Sequence, residues 1–154
     1  MENSDADGRI AGKKNVLIRV VGTQGFSEGE KDTLEFVTTG AFYERQGAFY
    51  LLYRESEVTG MAGVTTSLRI EGKHIVLNRM GKAELKQEFQ PGILHRGRYV
   101  TSFGTLWLSV LTTKLEYDLT VAGGRISLEY DLFADDALVS HNGLEIVVNS
   151  FGLR

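Results

Sequence analysis

The chain has 154 residues, of which 42% are hydrophobic and 24% charged, with a formal charge of −3. This is most simply one globular domain, long enough to bury roughly 70% of its unfolded surface, and the slight acidic excess argues against nucleic acid as a partner. There is no cysteine, which excludes disulfides, thiolate metal sites and thiol nucleophiles, while eighteen glycines against the single Pro91 suit hydrogen-bonded strands joined by glycine turns.

The opening stretch "MENSDADGRIAGKK" is polar and carries no apolar core of a secretory signal. Residues 1–12 are therefore expected to form a flexible tail and 13–154 a single domain. Period-two patterning then begins. "KNVLIRVVG" places Val16, Ile18 and Val20 on one face, and "DTLEFVTTGAFY" adds Leu34 and Phe36. "RQG" at 45–47 turns the chain into "AFYLLYRESE", with Phe49, Leu51 and Tyr53 together.

"VTTSLRI" offers Val64, Thr66, Leu68 and Ile70; "EGK" turns it into "HIVLNRMG", with Ile75 and Leu77. "KAELKQEF" fits a helix turn or a strand, and its bracketing by Gly81 and Pro91-Gly92 selects the strand, since the segment is too short for a stable helix. "GRYVTSFG" and the long run "GTLWLSVLTTKLEYDL" follow. "RISLEYDLF" alternates cleanly, with Ile126, Leu128, Tyr130 and Leu132 on one side, and the last run aligns Leu144, Ile146 and Val148. About ten short strands at hairpin spacing predict an all-β fold, an antiparallel up-and-down barrel of 8–10 strands, because closure removes exposed edges.

Five segments together carry a resemblance: "TTGAFY" at 38–43, "YLLYRESE" at 50–57, "LNRMG" at 77–81, "TSFGTLWLSVLTTKLEYDL" at 101–119 and "GGRISLEYDL" at 123–132. In this order and spacing they resemble the YwiB-like family of small bacterial proteins, over roughly residues 14–150. The resemblance implies a calycin-type, lipocalin-like barrel. It implies no catalytic residues, because the function of that family is unknown.

Extending the inward faces past Tyr53 and Leu77 brings Glu55 and Arg79 to the inner side of one barrel mouth, where charges must be paired or solvated. They are either an anchor for the polar head of a small ligand or an internal salt bridge that fixes register. The candidate interior and mouth residues are Phe36, Tyr53, Glu55, Leu77, Arg79, Trp107 and Tyr130. His74, His95 and His141 are scattered, with no spacing that suggests a metal site, and no metal or other cofactor is expected. "GTQGFSEGE" lacks the Lys-Ser/Thr ending of a phosphate loop and reads as a hairpin loop.

The run from Leu106 to Leu111 is apolar on both faces apart from Ser109. With Trp107 and Leu111 inward, Leu106, Leu108 and Val110 form an outer patch, covered by a second subunit or by the chain itself. A β-bulge near Gly104 would instead exchange the faces. The leading functional expectation is a cytoplasmic, non-enzymatic barrel that binds a small amphipathic molecule. The alternative is an interaction module acting through its outer surface as a homodimer. An enzyme ranks last, and no membrane partner is expected, since no run nears the roughly 20 apolar residues of a spanning helix.

Overall fold

A computed structural model describes residues 14–26, 29–55 and 63–150; the expected tail over residues 1–12 lies outside them. The ten strands are β1 (Lys14–Gly25), β2 (Lys31–Arg45), β3 (Ala48–Arg54), β4 (Thr65–Glu71), β5 (His74–Met80), β6 (Glu84–Phe89), β7 (Leu94–Thr101), β8 (Gly104–Thr120), β9 (Gly123–Ala134) and β10 (Ala137–Ser150). Each pairs antiparallel with its chain neighbours, and β1 pairs with β10 to close the ring. The expected up-and-down barrel is therefore the fold. The short segment over 84–89 is a strand, as its bracketing by glycine and proline predicts.

Turn chemistry sets the hairpins. Gln46 and Gly47 both adopt positive φ (53° and 84°), as do Asp135 and Asp136 (50° and 68°). Two consecutive left-handed residues are what a two-residue turn needs to match the strand twist, and Asp tolerates that conformation better than most side chains. Register then follows the apolar faces. Ile18 lies opposite Val148 and Val20 opposite Ile146, so the closing seam is part of the core.

One rim of the barrel collects the ends of β1, β3, β5, β7 and β9; the opposite rim collects their starts. Towards the second rim the interior is filled. Phe42, Leu51, Leu68, Ile70, Ile75, Leu77, Phe89, Ile126 and Leu128 are all fully buried there or at the barrel centre. Each such side chain stabilises the fold by about 1.5–3 kcal/mol. Leu77 belongs to this packed layer.

The long strand β8 resolves the doubly apolar run. Its register against β9 jumps between Thr112 and Lys114, so Thr113 is an extra residue, and Thr112 and Leu115 both point inward. The bulge sits eight or nine residues beyond Gly104, and it exchanges the faces of the strand's first half. Val110, expected outside, is 1% exposed in the core, whereas Trp107, expected inside, is 43% exposed on the outer wall. There the Arg96 guanidinium stacks on its ring, 4.4 Å from the centroid. Leu106 and Leu108 share the face of Val110. They lie where β8 begins to outrun β9, whose ladder starts at Leu108, and Leu106 is consequently half exposed.

Candidate functional site

At the first rim the filled interior gives way to a cavity of about 470 Å³, within the usual range for small-molecule sites. Phe36, Tyr53, Glu55, Arg79 and Tyr130 line it, together with Val20, Leu34 and Leu144 and a rim of Thr23, Gln24, Asp32, Thr33 and Asn142. The structure thus brings five of the seven expected interior and mouth residues around one cavity. Leu77 lies below it in the core, and Trp107 is outside the barrel.

Strand register explains the polar cluster. Tyr53 on β3 lies opposite Thr66 on β4, which lies opposite Arg79 on β5, so one row crosses three strands at the same height. Glu55 follows one pleat above Tyr53, held in place by its backbone N–H, which donates to the Val64 carbonyl at 2.8 Å. The Thr66 hydroxyl donates to Glu55 Oε2. Arg79 Nε donates to both Glu55 Oε2 and Thr66 Oγ1, each at 3.4 Å.

Glu55's side chain is only 2% exposed and Arg79's 22%. A carboxylate buried that deeply needs a partner, and the guanidinium with the hydroxyl provides it. Arg79 spends its Nε on this network. Its two terminal nitrogens donate to no acceptor among the described residues, although the side chain lines the cavity.

The aromatic wall completes the site. The Phe36 and Tyr53 rings are tilted by 52° at 6.3 Å, and Tyr130 meets Phe89 edge-on at 4.9 Å, at the floor between cavity and core. Burial pushes the Tyr53 phenol far above its ordinary pKa; the Glu55 carboxylate adds to the rise while Arg79 and Thr66 oppose it. Burial likewise raises Tyr130, against the pull of Arg79. Both phenols therefore stay neutral and serve as hydrogen-bonding, largely apolar surface.

Sequence reasoning missed the role of Thr66, which patterning reads only as a strand position. It also missed Asn142 and Gln24, because rim residues follow from register across the closing seam. The histidines are not all apart. His141 pairs with Asp131 on the outside, but His74 and His95 stack with ring centroids 6.0 Å apart, bringing together two residues whose spacing suggested no relation.

Comparison with known proteins agrees with the barrel. The family model described as "Domain of unknown function (DUF1934)" matches residues 18–146. The uncharacterized beta-barrel protein YwiB of Bacillus subtilis (strain 168) is 33% identical over 109 residues, covering 71% of this chain and 75% of that protein. The crystal structure of the ywiB protein from Bacillus subtilis aligns with a TM-score of 0.83 over 96% of this chain and 99% of that one, at 24% identity. That likeness shows the fold.

Proposed function

The chain belongs to the DUF1934 family, a domain of unknown function, and from that premise we propose that it binds one small amphipathic molecule in the mouth of the barrel without chemically transforming it. The observation that carries this reading is the coexistence of an open, aromatic-lined cavity with a buried Glu55–Thr66–Arg79 network on its wall. An apolar body fits against Phe36, Leu34, Tyr130 and Leu144. A polar or anionic head fits the terminal nitrogens of Arg79, whose own position is fixed by Glu55. Pre-positioning of this kind lowers the ordering cost of binding. The affinity with calycin-type ligand barrels belongs to the same proposal.

Native mass spectrometry of protein purified without denaturation tests it, followed by titration with ANS, whose aromatic body and sulfonate match the two halves of the site. A retained adduct or saturable ANS binding is expected. Arg79→Lys, which keeps the charge but loses the planar fork, should weaken binding about tenfold. Leu34→Glu at the rim should do the same without touching the network. Absence of any saturable binding, or affinity indifferent to both substitutions, would sink the reading.

A second reading, self-association through the outer surface, has its own support. The tip of the β7–β8 hairpin exposes Phe103 almost completely (99%), close to half-exposed Leu106. Light scattering of wild type and Phe103→Glu would decide it: a dimer abolished by the substitution supports it, and a monomer at all concentrations rejects it.

A further inference from the structure

We propose that His74, Glu88 and His95, at the rim opposite the cavity, bind a divalent transition-metal ion, for which Zn²⁺ is the best fit, and that the ion staples β5, β6 and β7 together. One ligand comes from each of three consecutive strands. Their donor atoms all lie within 4.8 Å of one another. His74 Nε2 is 3.0 Å from Glu88 Oε1, and the two imidazoles stack at an interplanar angle of 18°.

Two imidazoles and one carboxylate are the donor set of open zinc sites, in which water takes the fourth position. Zinc bonds of about 2.0–2.2 Å require the donors to draw in by roughly an ångström, within reach of side-chain rotation. The surroundings also fit. His74 and Glu88 are each about one-third exposed, enough for entry of an ion. Gln90 Oε1 stands 3.0 Å from His95 Nε2, a neutral acceptor beside the ligating ring. No Lys or Arg among the described residues pairs with Glu88, so its charge is left to the histidines.

The position in the fold supplies the role. β6 and β7 pair only at Glu84 with Val100 and Leu85 with Tyr99, the shortest ladder in the barrel and next to the cavity rim. At the other end of the same seam β6 leaves β7, and the chain beyond it turns to β8, where the Gln90 and Gly92 amides donate to Thr112. Glu88 and His95 sit on the two sides of that unpaired stretch. An ion held by both replaces backbone pairing that the register does not provide. Binding of this kind to the folded state raises its stability by mass action.

The test is titration of EDTA-stripped, dialysed full-length protein with ZnCl₂, followed by calorimetry and thermal melting, with MgCl₂ as the control ion. One saturable Zn²⁺ site and a higher Tm are expected, with no response to Mg²⁺. His95→Gln and Glu88→Gln should each weaken binding tenfold or more, while His141→Gln leaves it unchanged. Gln90→Glu adds an oxygen donor beside His95 and should tighten binding, which keeps the test decisive if a loss variant does not fold. Absence of a stoichiometric site, or affinity unaffected by His95→Gln and Gln90→Glu, overturns the proposal.

Discussion

Tyr53 illustrates how much a single side chain ties together. Its phenol is buried between Glu55 and Arg79 and holds its proton far more tightly than an unfolded tyrosine. An unfolded chain releases that proton near pH 10 while the folded chain keeps it. Stability is therefore full below about pH 10 and falls as pH rises beyond it, by about 1.4 kcal/mol per pH unit for each such tyrosine. Tyr130 adds in the same direction. Of the six tyrosines, Tyr53 should ionise only together with alkaline unfolding, followed by tyrosinate absorbance and circular dichroism in parallel. Tyr53→Phe should move the unfolding midpoint to higher pH; ionisation of Tyr53 while the barrel is intact would contradict this account. The neighbouring pair Glu55 and Arg79 was legible in the sequence because both continue apolar faces with strict period two. Thr66 was not, since a threonine in a strand looks the same whether its hydroxyl faces water or a carboxylate.

Among the elements, β8 shows where pattern reading stops. Either face of its first half is apolar enough to be buried, and the bulge that decides between them falls at Thr113, in a "TTK" stretch with no glycine to betray it. A one-residue slip exchanges every side chain between core and solvent. Removing Thr113 should therefore be mild: Thr112 and Leu115 then alternate regularly and stay inward, at a cost of about 1–3 kcal/mol from lost local twist. Removing Glu116 instead should abolish cooperative unfolding, because Leu115 and Tyr117 can no longer share a face. Thermal melts of the two deletions separate the cases, and equal damage from both would contradict the observed register. Gly97 is a second element-level constraint. A Cβ there would strike the Lys86 carbonyl across the β6–β7 seam, which explains glycine inside a strand.

The whole molecule closes through its most distant strands, with Val16 opposite Ser150 and Gln24 opposite Asn142. Alternation along the chain predicted the number of strands and their local hairpins well. Closure itself was expected from the need to pair the edge strands, but the register of the first strand on the last, the meeting of His74 with His95 and the depth of the cavity depend on three-dimensional closure in a way that local periodicity does not encode. The same feature governs folding, since loop closure must precede the reward of pairing. Refolding should take milliseconds to seconds, with the β4–β5 hairpin formed early and the β1–β10 seam late. Ile75→Val should slow folding, and Ile146→Val should chiefly speed unfolding, each removing about 1 kcal/mol. Stopped-flow chevrons of the two variants measure the difference; a slowed folding limb for Ile146→Val would place closure before the hairpin.

The Arg96–Trp107 stack gives the protein a reporter of its own. Trp107 is the only indole in the chain, and it faces solvent on the outer wall under a guanidinium rather than the interior. Its emission should be red-shifted in the free protein and nearly blind to whatever enters the barrel. A second molecule settling over β7 and β8 would exclude water from the ring and shift the emission to the blue. Intrinsic fluorescence, recorded during ligand titration and during dilution, thus separates occupation of the inside from association at the outside in one unlabelled sample.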